Sequence, residues 1–359
     1  MNKLFTKRFG TLMSSLLIIS SVSLAQFGNF DFLKSGAADG AKIIQAYVAP
    51  WANAFGGGLN SGWYNTAKPH KLLGFDLTTS INVGMVPASE DTYNVSDLHL
   101  TTLTGTGTAS TVSGPDVSGA TLTKTVSGFT VASFALPPGT GWKMIPVPTA
   151  QIGIGLPLGT EVKFRYIPKI TVKNNDISLW GVGLMHSIMQ YIPGNKLIPA
   201  DVSIFGGYTK LEGNIHMSLK PDATVTQNFT AGYLATNPFD TQNLNVTVTA
   251  LNVGVIASLN LPVITLYGGL GYSKTSTGIA IEGNFPVPVA APTTLPTHVE
   301  YNNSGVIVGK DFTGMDIENF SGLRANIGLR IKLAVITIHA DYTRAQYNIF
   351  SSGLGISFR

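Results

Sequence analysis

Residues 72–86 read Leu72-Leu73-Gly74-Phe75-Asp76-Leu77-Thr78-Thr79-Ser80-Ile81-Asn82-Val83-Gly84-Met85-Val86. Leu73, Phe75, Leu77, Ile81, Val83 and Met85 share one parity, and Gly74, Asp76, Thr78, Ser80, Asn82 and Gly84 share the other. Successive side chains of a β-strand point to opposite faces, so this segment is a strand with one apolar and one polar surface. The pattern returns in at least six other segments. Apolar outside and polar inside, repeated along an exported chain, is the signature of an outer-membrane β-barrel.

The export signal lies in residues 1–25. Lys3, Lys7 and Arg8 form a basic start, an apolar stretch from Leu12 to Val22 is too short to span a bilayer as a helix, and Ser23-Leu24-Ala25 places small residues for cleavage before Gln26. Removing three basic residues and no acidic ones from a net charge of +4 leaves the mature chain near +1, which gives no argument for nucleic acid. Only 12% of residues are charged, against roughly 25% in an ordinary soluble protein. The 40 glycines and the dispersed apolar residues suit a lipid-facing barrel, and the absence of cysteine excludes disulfides and a lipid-anchoring thiol. A soluble secreted β-sandwich also alternates, but it normally carries a more charged exterior.

Three regions follow: the signal at 1–25, a helical segment at 26–54 and a barrel at 55–359. Phe32, Leu33, Ala37, Ile43, Ile44, Tyr47, Val48 and Trp51 fall at helical spacing, which predicts a short amphipathic helix that plugs the barrel or docks at its mouth. The fold class is all-β, a single antiparallel transmembrane β-barrel. Strands are expected at about 55–66, 72–86, 92–103, 150–156, 162–166, 177–185, 201–212, 244–259, 264–272, 323–331, 336–342 and 354–358. That makes about 12, or 14 if 104–146 contributes a pair. Long external loops are expected at 104–146, 213–241 and 274–316, and a helical turn within 186–199. In 244–259 the apolar parity changes after Ala250, which predicts a bulge. Trp63, Tyr64, Tyr166, Trp180, Tyr208, Tyr272, Tyr342 and Phe358 are assigned to interfacial girdles.

Several phrases together resemble an uncharacterised family of Gram-negative outer-membrane barrels: Gly62-Trp63-Tyr64-Asn65-Thr66-Ala67-Lys68-Pro69-His70, Gly74-Phe75-Asp76, Gln151-Ile152-Gly153-Ile154-Gly155-Leu156-Pro157, Lys163-Phe164-Arg165-Tyr166-Ile167-Pro168, Tyr267-Gly268-Gly269-Leu270-Gly271-Tyr272, Asp341-Tyr342-Thr343 and the closing Gly353-Leu354-Gly355-Ile356-Ser357-Phe358-Arg359. The resemblance implies a location and a fold, and carries no established activity. The general layout is also loosely similar to the long-chain fatty-acid transporter barrels, which have 14 strands and an N-terminal plug. The end of the chain resembles the insertion signal read by the barrel-assembly machinery, with Arg359 following the usual terminal aromatic residue.

Charge facing lipid costs roughly 2–4 kcal/mol for Arg or Lys at mid-bilayer, so Asp76, Glu161, Lys163, Arg165, Arg324, Arg330, Lys332, His339 and Asp341 are expected to face the lumen. They form either a salt-bridge lattice across a closed lumen or an anion-selecting surface in an open one. His339 and Asp341, two apart on one strand, could serve a hydrolase triad with a serine on a neighbouring strand; a lumenal hydrogen-bonded pair is the plainer reading. The six histidines show no metal-ligand spacing, and Gly153-Ile154-Gly155 and Gly268-Gly269-Leu270-Gly271 open no helix after a strand, so neither metal nor cofactor is expected.

The sequence therefore points to a non-enzymatic barrel in the outer membrane of a Gram-negative bacterium. Its partners are outer-membrane lipid and the assembly machinery, with no nucleic acid. Its expected role is a channel or transporter for a small, hydrophobic solute. The alternative is a structural or adhesive barrel that binds an external partner through its long loops.

Overall fold

The computed structural model describes residues 37–126, 129–172, 174–193, 199–217, 242–283, 288–290, 300–301, 315–317 and 321–358. The expected export signal, the start of the expected helical segment and most of 213–241 and 283–320 lie outside the described residues.

Ten strands form the barrel: β1 (Phe75–Met85), β2 (Met144–Leu156), β3 (Thr160–Val172), β4 (Asn175–Ser187), β5 (Ala200–His216), β6 (Asn243–Asn260), β7 (Ile264–Glu282), β8 (Ser321–Leu333), β9 (Ile336–Arg344) and β10 (Asn348–Phe358). Each pairs antiparallel with its sequence neighbours, and β1 pairs with β10 from Phe75↔Phe358 to Met85↔Asn348, so the ring is closed. The count is ten and not 12, because 55–66 and 92–103 are not wall strands. Residues 55–59 finish a helix, 60–70 run inside the barrel, and 92–103 belong to an external lid.

The alternation read in 72–86 is borne out with an inverted burial. On β1 the apolar Leu77 and Ile81 are 41% and 38% exposed, whereas Asp76, Thr78 and Asn82 are 6%, 1% and 0% exposed. A protein that buries carboxylates and presents leucines has lipid for its outer solvent. Among the described residues no helix is long and apolar enough to cross a membrane; the chain crosses with strands.

Tight turns at 157–159, 261–263 and 334–335 lie on one rim, together with a 3₁₀ turn at Met189–Tyr191 and the end of β10. The opposite rim carries the long connections 86–143, 217–242 and 283–320. Short turns are periplasmic and long loops external in barrels of this kind.

Strands β5, β6 and β7 have 17, 18 and 19 residues, against about 9–11 needed to span a bilayer. Their external ends rise above the membrane, and there the pattern reverses. On β6, Leu251, Val253, Val255 and Leu259 point outward, while Leu244, Val248 and Ala250 point inward and are buried. The pairing of β6 with both neighbours is unbroken from Asn243 to Asn260, so the expected bulge is absent. The parity changes because the outer solvent changes from lipid to water. Residues 274–282, expected as loop, are likewise strand, with Lys274 and Glu282 outward and Ile279 and Ile281 inward. Tyr166, Trp180, Tyr272 and Tyr342 are exposed near this boundary and form the external girdle. Trp63 and Tyr64, assigned to the same girdle, are instead buried in the lumen.

Helix α1 (Ala37–Leu59) lies in the lumen, rich in alanine, the best helix former. Its upper half packs under the lid formed by 86–143. Ile43, Ile44, Tyr47 and Val48 meet Val95, Leu103, Val112, Leu122 and Phe134 in one apolar core. Pro50 offers no N–H to the Ala46 carbonyl four residues back, and beside this interruption the lid enters the ladder: Val112 N donates to the next carbonyl, that of Tyr47, at 2.9 Å. The lid contains the hairpin expected in 104–146, Thr121–Val126 with Phe129–Ala135. The lower half of α1, through Ala54, Phe55 and Leu59, packs on Ile145, Val147, Leu179 and Val248 of the wall.

A lumen filled in this way should not conduct. The purified protein in a planar bilayer is expected to give no stable channel, and a variant lacking residues 37–59 that retains heat-modifiable migration should give steady openings.

Candidate functional site

The site is the plug and the wall groups that hold it, and it has three anchors. The upper anchor is Asp39, in the first turn of α1, where negative charge complements the helix dipole. It is buried under the lid and accepts from Thr101 N and Oγ1 at 2.9 and 3.0 Å, from Thr102 N and Oγ1 at 2.6 and 2.8 Å, and from Leu103 N at 2.9 Å. Burial works to raise its pKa, but the bonds from Thr101, Thr102 and Leu103 outweigh that and hold the carboxyl below the usual carboxylate range. Lys42 Nζ donates to the His99 carbonyl at 2.5 Å beside it.

The middle anchor takes up the carbonyls that a helix leaves unpaired at its C-terminus. Arg165 of β3 donates from Nη1 to Leu59 O and from Nη2 to Ser61 O, both at 2.7 Å, and Arg324 of β8 donates to Asn60 O at 2.6 Å. Asn252 adds a second bond to Asn60 O at 3.2 Å. Two guanidinium groups at the negative end of the dipole satisfy both hydrogen bonding and electrostatics. Gly62 then turns the chain at φ +71°, a conformation that favours glycine, and a Cβ there would lie 2.5 Å from Asn82 Oδ1.

Trp63 follows, 1% exposed, with the Arg165 guanidinium 3.7 Å above its ring. Gly183 and Gly207 form the floor under the indole; a Cβ on either would stand 2.9 Å from a ring carbon. Gln151 donates to Trp63 O at 3.1 Å, and Tyr64 Oη to Asn326 Oδ1 at 2.7 Å. Ser258 and Ser203 bind the Ala67 N–H and carbonyl at 3.0 and 2.6 Å.

The lower anchor sits at the periplasmic rim. Glu161 Oε2 accepts from His70 N at 2.8 Å and lies 2.8 Å from its Nδ1, and Nε2 is 3.0 Å from Ser357 Oγ. Lys163 Nζ makes a short ion pair with Glu161 and lies 3.6 Å from Asp76. His70, Asp76 and Glu161 offer ligand atoms within 4.8 Å of one another, a convergence that no sequence spacing announced. The cation their carboxylates hold is the chain's own Lys163 ammonium.

The remaining residues expected to face the lumen are placed as follows. Asp76, Glu161, Lys163, Arg165, Arg324, Arg330, His339 and Asp341 are all buried on the inner face, and Lys332 is half-buried near the periplasmic rim. His339 and Asp341 do not form a triad. Asp341 accepts from Tyr267 Oη at 3.0 Å, while His339 Nε2 is 3.5 Å from Ser80 Oγ and its Nδ1 has no hydrogen-bond partner among the described residues. Without a carboxylate on Nδ1 nothing fixes the tautomer or stabilises an imidazolium. Nor do the guanidiniums of Arg165 and Arg324 face an open path for anions, since both are bound to plug carbonyls.

Fold and site together define a plugged outer-membrane β-barrel. Over residues 1–358 the chain matches DUF6588, described as a family of unknown function, and it belongs to that family. No curated protein matches it. Among solved structures it is similar to the β domain of the Bordetella autotransporter BrkA, at 9% identity and a TM-score of 0.35, covering 80% of this chain and 100% of that one. The translocator domain of the autotransporter NalP from Neisseria meningitidis gives 11% and 0.31 over 88% and 96% of the two chains. The outer-membrane protease OmpT from Escherichia coli gives 8% and 0.30 over 79% and 97%.

Removing Arg165 leaves two buried carbonyls without donors, at about 1–3 kcal/mol each. Arg165→Ala should therefore lower unfolding stability in urea by on the order of 3 kcal/mol and admit ion leakage in bilayers; Arg165→Lys, a single-point donor, should recover only part. Asp39 has a folded pKa below its unfolded 3.8, so its contribution is present above that value and is lost as pH falls through the folded one. Hydrogen-exchange protection factors at 101–103 should fall in acid for the wild type, and Asp39→Asn should show low protection at all pH values.

Proposed function

We propose that this barrel takes up a small hydrophobic solute from outside the cell, binding it between α1 and the projecting wall, with the anchored plug as the gate. The observation that carries this reading is a cavity of about 50 Å³ beside the helix. Ile44, Val48, Trp51 and Phe55 line it from α1, and Leu211, Ile215, Leu244, Val246 and Ile279 from β5, β6 and β7. Its walls are almost wholly apolar, and an apolar cavity stays dry and accepts apolar molecules. It lies above the girdle, on the side that meets the medium, and the hydrogen-bonded lattice below it bars free passage.

The same reading includes export through cleavage between Ala25 and Gln26 and insertion by the barrel-assembly machinery acting on β10, whose Leu354, Ile356 and Phe358 face lipid.

The test is binding of xenon, an apolar atom small enough for a cavity of about 50 Å³, to the protein in lipid nanodiscs, followed by the xenon NMR shift and by heavy-atom quenching of tryptophan fluorescence. Saturable binding is expected. Val246→Phe, which fills the cavity, should weaken it by about tenfold or more, equivalent to roughly 1.4 kcal/mol, while heat-modifiable migration stays normal. Absence of saturable binding by the wild type, or equal binding by the filled variant, refutes the proposal.

A further inference from the structure

The direction of the plug decides on which side of the membrane α1 begins. The Asp39 end of α1 is fixed to Thr101, Thr102 and Leu103 of the lid that joins β1 to β2 on the long-loop rim. Its other end is fixed at mid-lumen by Arg165 and Arg324. Residues 60–70 then continue to the short-turn rim, where His70 meets Glu161 and Ser357 and β1 starts opposite the end of β10. The anchors occur in this order along the chain and in this order along the barrel axis. The chain therefore traverses its own barrel once before it forms the first wall strand.

We infer that the barrel presents the first turn of α1, at Ala37 and Ala38, at the outer surface of the cell, on the opposite side of the membrane from the end of β10. In a barrel with an even number of strands, the wall alone would place both ends on the periplasmic rim. It is the lumenal crossing that moves one of them outside. The argument rests on the polarity of α1 and on three sets of buried polar contacts, and it does not depend on what solute the barrel takes up.

The chain contains no cysteine, so a single introduced thiol reports its own side of the membrane. Ala38 is exposed at the first turn of α1, Asp116 is exposed in the lid, and Leu158 is 78% exposed in a turn of the short-turn rim. The full-length variants Ala38→Cys, Asp116→Cys and Leu158→Cys would be expressed in a Gram-negative host. Each would be treated, on intact cells and after permeabilisation of the outer membrane, with a polyethylene-glycol maleimide too large for porins.

The expected result is a complete gel shift of Ala38→Cys and Asp116→Cys on intact cells, and a shift of Leu158→Cys only after permeabilisation. If Ala38→Cys behaves like Leu158→Cys, or if Leu158→Cys alone reacts from outside, the proposal fails. Should Ala38→Cys be unreactive in both states, an epitope inserted between Gly36 and Ala37 gives the decision. Antibody binding on intact cells then supports external presentation, and binding only to permeabilised cells overturns it.

Discussion

A β-strand in an unbroken ladder assigns every residue to a face, and no residue can be moved across without shifting the whole strand. This chain asks one set of strands to serve two outer solvents within a single register. In the membrane the outer face must be apolar, because a buried cation facing lipid costs roughly 2–4 kcal/mol. Above it the outer face meets water, and each large apolar side chain regains about 1.5–3 kcal/mol only by turning inward. β5, β6 and β7 meet both demands by exchanging the apolar and polar parities midway, at the level of Tyr208, Leu251 and Tyr272. The upper barrel thus has the core of a soluble protein, and the lower barrel has the reverse.

The interior follows from that division. A barrel of eight strands is just filled by its own side chains, and one of ten leaves room to spare. In the upper half the room is taken by the apolar face of α1. In the lower half it is taken by an extended segment, whose unpaired N–H and C=O groups need partners once buried. Arg165, Arg324, Gln151, Ser203, Asn252 and Ser258 supply them. The inward glycines supply the space: Gly183 and Gly207 exist as a surface for one indole ring.

Much of this was legible in the sequence, and the omissions have physical causes. Strict alternation marks β1, β8 and β9 nearly to their ends and only the closing part of β10, and charge alone assigns Arg165 and Arg324 inward, because no other face would tolerate them. What those arginines hold was hidden, since main-chain carbonyls of Leu59, Asn60 and Ser61 carry no side-chain signal. Residues 55–66 read as a strand because Gly and aromatic residues mark barrel walls, yet the same residue types mark a plug pressed against one. The parity change in 244–259 predicts a bulge, and the polar start of 274–316 predicts a loop. Both readings assumed that the solvent outside a barrel strand stays the same along its length. His70, Asp76 and Glu161 converge only because residue 70 ends a lumenal crossing, and no local pattern encodes that.

The plug also constrains the shape that the finished ring can take. Its groups are held by β3 on one side of the ring and β8 on the other, while the seam between β1 and β10 joins the two extremes of the wall sequence. A segment pinned to both halves of the wall cannot be drawn out of the finished tube without stripping buried guanidiniums of their partners. Plug and wall are therefore joined across the ring as well as around it. The segment after α1 acts as a spoke that braces the circumference against flattening.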